Sequence, residues 1–323
     1  MKMKKKRTIR FKKILAFLGY NLILAVILAP FVLFWGPFQA LKTVAVGSVY
    51  TSRHPQVVKA FLSQDEINKI MDSNYDKGVL SGQDISRNSV VNDASSGITI
   101  EDIKGPSFKG KVMLIKDPKR VKLAVTKEIG TTGERVSDLV QDMGAIAGIN
   151  AGGFYDPNGK GNGAFPDGLT VQNGKLVHNN VGNQTVNIVG FDDQGKLVIG
   201  NMTASQLEEK HIQQAVSFGP NLIVNGQKVI SGDGGWGIAP RTGIGQTADG
   251  TVIFVVIDGR QPTWSIGATL RDLMNVFSDY HAINAVNLDG GSSSELVYNG
   301  KVQNKLWDIF GERYIPTAFV VTP

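Results

Sequence analysis

Cysteine is absent from the 323 residues of this chain. That absence excludes disulfide bonds, a thiolate nucleophile and a cysteine metal site. Histidine is scarce, and all four histidines lie outside the polar, glycine-containing segments described below: His54, His178, His211 and His281. The sequence therefore argues against a histidine-dependent serine hydrolase and against a zinc site.

Acidic residues are missing from positions 1–13, which hold eight lysines and arginines. Without this segment, 26 basic side chains face 28 acidic ones, so the net charge of +6 comes from the N-terminal tail. A nucleic-acid-binding domain carries its positive charge on the folded surface. We therefore expect no nucleic-acid partner.

Charged residues are also missing between Ile14 and Leu41. As a helix, the apolar run from Ile14 to Trp35 would span roughly 33 Å, enough to cross a bilayer. We predict a transmembrane anchor over 14–41 that contacts the lipid bilayer, behind a basic cytoplasmic tail over 1–13. Positive charge before the span places the rest of the chain outside the cell. A cleaved signal peptide is the alternative, although the run exceeds a usual signal core and no clear small-residue cleavage site follows it.

Residues 42–105 have the composition of an extracellular stalk or linker. Ser63 and Glu66 form a capping box that predicts a short helix, with Ile67 and Ile70 on one face. From Gly78 to Gly105 the chain is polar and predicts a linker. Packing of both parts on the following domain is the alternative.

Residues 106–323 have the pattern of a domain rich in β-hairpins. Strands are predicted at Val112–Ile115, Val121–Thr126, Ile146–Ile149, Val186–Phe191, Leu197–Ile199, Leu222–Val224, Val252–Ile257, Ala285–Leu288 and Ala318–Val321. Hairpin turns are predicted at Asn173-Gly174, Asn225-Gly226, Asp249-Gly250 and Asn299-Gly300. Amphipathic helices are predicted over 133–143 and 268–280. The fold class expected is α+β, with a largely antiparallel sheet and a few packed helices.

Four segments place glycines and polar side chains next to apolar runs: 148–155, 239–245, 257–260 and 287–294. Gly290–Ser294 could form an anion-binding concavity or an ordinary glycine turn with exposed serines. Arg241 and Arg260 could clamp a phosphate, or pair with Asp258 and Asp289. Each aspartate could be a base, a nucleophile, a metal ligand or a solvated turn residue.

Together these segments resemble the phosphodiester glycosidase family over roughly residues 105–323. The resemblance is carried by Asn150-Ala-Gly-Gly-Phe154, Ala239-Pro-Arg-Thr242, Asp258-Gly-Arg260, Gly267-Ala-Thr-Leu270 and Asn287-Leu-Asp-Gly-Gly-Ser292. It implies hydrolysis of a sugar-1-phosphate diester by a catalytic domain over 106–323. Outside a cell, the substrate would be a phosphate-linked glycan of the envelope or an exopolysaccharide.

On this resemblance we expect Asp289 to act as base or nucleophile and Asp258 to position it. The expected substrate- and phosphate-binding residues are Asn150, Gly152, Gly153, Arg241, Thr242, Arg260, Asn287, Gly290, Gly291, Ser292 and Ser293. No cofactor is identified from these residues, but carboxylates bind Ca²⁺ or Mg²⁺ through their oxygen atoms, so a divalent cation stays a candidate. The alternative function is a non-catalytic glycan-binding protein of polysaccharide assembly. Esterase or peptidase action through Ser292–Ser294 lacks an identifiable base.

Overall fold

The computed structural model describes residues 2–50, 55–72, 86–93, 97–157, 161–308 and 310–323. The helices are α1 (Lys2–Trp35), α2 (Gln39–Tyr50), α3 (Pro55–Lys59), α4 (Gln64–Asp72), α5 (Val136–Asp142), α6 (Ala204–Glu209) and α7 (Leu270–Asp279). The strands are β1 (Ser86–Asp93), β2 (Ile98–Lys104), β3 (Lys109–Ile115), β4 (Val121–Val125), β5 (Ala147–Asn150), β6 (Leu169–Gln172), β7 (Lys175–Asn179), β8 (Val186–Phe191), β9 (Leu197–Met202), β10 (Gln214–Ser217), β11 (Asn221–Val224), β12 (Gln227–Lys228), β13 (Arg241–Thr247), β14 (Val252–Ile257), β15 (Ala282–Leu288), β16 (Leu296–Tyr298), β17 (Lys301–Val302) and β18 (Thr317–Val321).

The strands form three antiparallel sheets. The largest has the order β1-β2-β3-β14-β13-β15-β11-β12, and the two five-stranded sheets have the orders β7-β6-β10-β8-β9 and β17-β16-β5-β18-β4. This arrangement confirms the predicted α+β fold with antiparallel sheets and few helices. All nine predicted strands are present, and each of the four predicted turns joins two paired strands.

The main core lies where the three sheets meet. Phe254 of the large sheet, Phe191 of the second and Phe319 of the third belong to one buried cluster, in which Phe191 and Phe319 make an edge-to-face contact. Such a contact adds to the stabilisation from burying two aromatic rings. Helix α7 packs on the other face of the large sheet and buries Leu273 and Phe277 there.

Helix α1 contains the stretch Lys13–Trp35, which is long and apolar enough to span a membrane and lies almost entirely outside the protein core. Helices α2, α3 and α4 follow it and share a small buried cluster that includes Phe34, Val46 and Ile67. The predicted capping box is present, because the Glu66 backbone N–H donates to the Ser63 hydroxyl and the Ser63 backbone N–H donates to the Glu66 carboxylate.

The segment expected to be a linker joins the large sheet instead. Strand β2 pairs along its whole length with β3, and Ile98, Ile100 and Ile103 are buried. In β2 the buried isoleucines are separated by polar residues that are less buried, and these polar residues give the segment its polar composition. Residues 73–85 and 94–96 of the predicted linker lie outside the described residues.

Candidate active site

Two of the polar segments meet because of the strand order in the large sheet. Strands β14 and β15 are both antiparallel to β13, which lies between them, so they run in the same direction. Their C-terminal ends therefore lie beside the start of β13 at Arg241. Asp258 follows β14 and Asp289 follows β15 at this edge.

Asn150, at the end of β5, joins this edge to the third sheet. Its Nδ2 donates to the carbonyl oxygen of Asp289 at 2.5 Å. Its Oδ1 accepts from the Thr242 hydroxyl at 2.8 Å and from the Glu295 backbone N–H at 3.1 Å. Because Asn150 is buried and both its polar atoms bond within the protein, its contacts favour positioning of the Asp289 loop rather than binding of sugar hydroxyls.

The Asp289 carboxyl group has a raised pKa of about 6. Burial is the main cause, and the Ser293 hydroxyl, the Arg313 guanidinium and the Gly290 N–H partly offset it. A carboxyl group that titrates near neutral pH can accept a proton efficiently at that pH. Asp289 therefore has the properties of a general base or a carboxylate nucleophile.

Arg313 is the functional candidate that the sequence analysis missed. Its side chain is only 8% exposed and pairs with Asp156 at 2.6 Å. Nη1 donates to the Ser292 hydroxyl at 3.3 Å, and the guanidinium lies over the Phe154 ring. Buried Nε has no hydrogen-bond partner among the described residues. An unpaired buried donor beside Asp289 is available to an anionic ligand.

Arg260 supplies a second positive charge at the same loop. Its guanidinium lies over the Trp307 ring, with 5.2 Å between the guanidinium carbon and the ring centroid. A Cβ at position 291 would lie 3.4 Å from the Arg260 Nη atoms, so Gly291, at a φ of +63°, leaves room for this cation. Arg260 and Arg313 thus both approach the Gly291–Ser292 turn.

Arg241 is used differently from the phosphate clamp that was expected. It is 3% exposed, and it donates to the carbonyl oxygens of Trp236, Gly237 and Ala268. Burial and the nearby Arg260 lower its pKa to about 10. These contacts favour a structural role, in which Arg241 holds the glycine-rich loop 232–238 against the start of β13.

The expected backbone cradle at 290–294 is also occupied by protein groups. Four of its five N–H groups donate to protein oxygen atoms. The donors are Gly290, Gly291, Ser293 and Ser294, and the acceptors are Asp289 Oδ1 and the carbonyl oxygens of Pro240, Gly290 and Gly291. The loop therefore shapes the site around Asp289, and most of its N–H groups are already bonded within the protein.

Three further predicted binding residues make packing contacts. Gly152 and Gly153 lie so close to Val216 and Phe218 that a Cβ would be 3.0 and 2.9 Å from those side chains. Asn287 is buried, and its Nδ2 donates to the Gly219 carbonyl at 2.9 Å. These contacts explain the glycines and the asparagine through the folding of the strand ends.

Asp258 lines a cavity that Asp289 does not line. Its carboxylate accepts from the Trp264 indole N–H at 2.7 Å, from the Lys305 backbone N–H at 3.0 Å and from Asn304 Nδ2 at 3.3 Å. Burial raises its pKa, and these donors partly offset the effect. No described contact joins Asp258 to Asp289, so its predicted role in positioning Asp289 has no direct contact to support it.

Glu295, which follows the serines at 292–294, is buried and is hydrogen-bonded to the half-buried Glu312. Burial raises the pKa of Glu295, and hydrogen bonding to Glu312 and repulsion from it raise the pKa further. Burial would also raise the pKa of Glu312, but hydrogen bonds from Glu295 and Ser137 outweigh it and lower the value. Glu295 is therefore the protonated partner at neutral pH, and it donates to the Glu312 carboxylate.

A cation site is not preformed in the part of the chain that the structure describes. No group of three or more histidine, aspartate or glutamate side chains comes together there. Asp258 and Asp289 are the two carboxylates considered as ligands for Ca²⁺ or Mg²⁺, and no contact between the described residues joins them.

Comparison with known proteins gives two kinds of match. The family model described as phosphodiester glycosidase matches residues 143–322. Among curated proteins, the SPbeta prophage-derived uncharacterized protein YomE of Bacillus subtilis (strain 168) is 29% identical over 204 residues. That match covers 60% of this chain and 31% of YomE, so this chain spans about a third of its relative's length.

Solved structures share the fold. The catalytic domain of zebrafish N-acetylglucosamine-1-phosphodiester alpha-N-acetylglucosaminidase, auto-inhibited by its pro-peptide, matches with a TM-score of 0.59 and 21% identity, over 74% of this chain and 88% of that one. A hypothetical protein from Synechocystis matches with a TM-score of 0.56 and 16% identity, over 70% and 62% of the two chains. With the family model matching more than half of its residues, the chain belongs to the phosphodiester glycosidase family.

Proposed function

We propose that this protein hydrolyses a sugar-1-phosphate diester in a phosphate-linked glycan outside the cell. The observation that carries the proposal is the Asp289 carboxyl group, whose pKa is about 6, with the Arg313 guanidinium acting on it. Arg260 approaches the same loop at Gly291. A carboxylate near one cation, with a second cation at the same loop, suits a reaction in which a phosphate departs from a sugar.

The chemistry follows from the leaving group. The bond between C1 of the sugar and the phosphate oxygen breaks, and its electron pair leaves with a phosphomonoester. This anion is already stable, so the reaction depends less on a strong general acid than ordinary glycoside hydrolysis does. Arg313 and Arg260 stabilise the departing charge. Asp289 either removes a proton from the attacking water or bonds to C1 before water releases the sugar.

The N-terminal helix supports an activity at a membrane surface. The apolar side chains of α1 are exposed in the protein and would contact lipid. The lysines and arginines before Ile14 would keep the N-terminus in the cytoplasm. The proposed arrangement is a single-pass anchor, with the catalytic domain outside the cell.

The test is hydrolysis by the full chain in detergent. A diester of N-acetylglucosamine-1-phosphate is incubated with the protein, and phosphorus NMR follows the conversion of diester to phosphomonoester. Asp289→Asn removes the carboxylate and is expected to lower the rate by at least about a hundredfold, the usual contribution of a catalytic base.

Asp193→Asn is the matched control, because Asp193 is exposed and lies in the turn between β8 and β9. It should keep the parent rate. Full activity of Asp289→Asn would remove Asp289 from the mechanism. Tight binding of phosphoglycans that are returned intact, across several sugar diesters, would favour the glycan-binding alternative.

A further inference from the structure

A lysine-rich cleft lies beside the candidate active site and is not used by the chemistry proposed above. It encloses about 590 Å³, a volume in the range of small-molecule sites. Its lining includes four lysines and two aspartates: Lys104, Lys109, Lys111, Lys305, Asp102 and Asp258. The lining is therefore positively charged, and its field attracts anions.

Trp264 is a fixed platform inside this cleft. Its indole N–H donates to the buried Asp258 carboxylate at 2.7 Å, which sets the orientation of the ring. The Lys109 ammonium lies 3.6 Å from the ring centroid, and the Lys305 ammonium lies 5.2 Å from it. Contact with the ring holds two ammonium groups close together, and each keeps N–H donors for a ligand.

The two aspartates of the cleft do not form ion pairs with Lys109 or Lys305. Asp102 pairs with Lys111 at 2.5 Å, and Asp258 is occupied by Trp264 and by donors from the 304–305 segment. Within the described part of the chain, Lys109 and Lys305 have no carboxylate partner. Both ammonium groups can therefore bind an anion without first breaking an ion pair.

A short segment separates the cleft from the Asp289 site. Asn304 Nδ2 donates to Asp258 Oδ1 on the cleft side at 3.3 Å and to the Ser294 carbonyl of the site loop at 3.1 Å. Three residues later, Trp307 packs under Arg260 on the side of the Asp289 site. A ligand long enough to cross this segment would occupy both places.

We propose that this cleft binds an anionic unit of the same glycan polymer whose phosphodiester bond is cut at Asp289. The inference rests on the proposed function, and it narrows the substrate class to a glycan that carries repeated negative charges. A neutral glycan with a single phosphodiester would leave the lysines unused.

The test measures binding without turnover. The full chain carrying Asp289→Asn is titrated in detergent with a short glycerol phosphate oligomer and, separately, with inorganic phosphate, using calorimetry. Adding Lys109→Gln and Lys305→Gln is expected to weaken oligomer binding about tenfold, through the loss of two ionic contacts. Lys305→Gln alone, at an exposed position, should weaken binding measurably and covers the case in which the double variant folds poorly.

Lys175→Gln with Lys196→Gln is the matched control, because both lysines are exposed and belong to the second sheet, on β7 and in the turn between β8 and β9. The control should change oligomer affinity by less than about twofold. The proposal would be overturned if the cleft variant and the control variant lost the same oligomer affinity, because net charge alone would then explain binding. Inorganic phosphate that binds as tightly as the oligomer would also overturn it, by making the cleft a site for free anions. Hydrolysis is measured separately, so failure of the proposed activity would not be confused with failure of the cleft.

Discussion

Asp289 and Arg313 show how single residues set the acid–base chemistry of the site. Burial raises the pKa of the Asp289 carboxyl group, and the positive charge of Arg313 limits that rise. Asp156, which is paired with Arg313, acts in the opposite direction and raises the pKa. The ionised fraction of Asp289 at neutral pH therefore depends on one arginine from a segment without regular secondary structure.

This balance predicts the pH dependence of the reaction. If Asp289 reacts as the carboxylate, kcat/KM should rise through an apparent pKa of about 6 and be lost as the pH falls below it. Arg313→Gln removes the attraction and leaves Asp156 unpaired, and both changes raise the Asp289 pKa. The acid limb should therefore move to higher pH, as measured by initial rates between about pH 4 and pH 9.

Arg120→Gln serves as the control, because Arg120 donates to the Thr322 carbonyl far from the loop at 291–294. Its acid limb should coincide with that of the parent. An unchanged limb in Arg313→Gln would mean that another group controls the pH profile.

Among the elements, β13 is one of the strands that the sequence pattern did not predict. Its residues alternate glycine with larger side chains, and the glycines face α7. A Cβ at either Gly243 or Gly245 would lie 2.8 Å from the Phe277 ring. Close approach of the helix to the sheet therefore requires glycine here, and this packing fixes the strand whose first residue is Arg241.

Replacement of one of these glycines should cost stability through that contact. Gly243→Ala is expected to lower the free energy of unfolding by about 1–3 kcal/mol, the usual cost of overpacking a core. Urea unfolding of the full chain in detergent measures the change. Phe277→Leu opens a cavity and destabilises by itself, but the double variant should lose less than the two single losses added together. If the two losses of unfolding free energy are additive, the cost of Gly243→Ala does not come from its contact with Phe277.

Over the whole molecule, the apolar helix α1 is connected to the family domain by packed structure. Phe34 of α1 stacks on Phe61 with 5.0 Å between ring centroids. Gly47 of α2 lies against the backbone of Gly235 and Gly237, in the loop that Arg241 holds. Helix α2, which follows α1, is therefore in direct contact with the loop 232–238 beside the start of β13.

A side chain at Gly47 should disturb that loop. Gly47→Leu would overlap the backbone of Gly235 and Gly237, so α2 and the loop must separate. We expect faster amide hydrogen exchange across residues 232–238, measured by mass spectrometry on the full chain.

Gly19→Leu is the control, because Gly19 lies on α1 with no atom near its Cβ position. Exchange in the loop should match the parent. If exchange in the loop also matched the parent in Gly47→Leu, α2 would not support the loop in solution.

The sequence by itself determined the apolar N-terminal helix, nine strands, four hairpin turns and the family. These features depend on local patterns, because hydrophobic periodicity and turn residues act over a few neighbouring positions. It also predicted Asp289 as base or nucleophile, on a string that resembles the family. Strands such as β2 and β13 escaped prediction, because their pairing and packing partners lie far away in the chain.

Only the tertiary structure decided how the charged residues are used. Arg241 and Arg260 look equivalent in the sequence, yet Arg241 bonds to buried carbonyl oxygens while Arg260 approaches the site loop. Arg313 lies outside every predicted segment and reaches Asp289 because the chain after β17 returns to the site. The pKa of a carboxyl group depends on burial and on charges brought from distant positions, and local sequence does not record either of them.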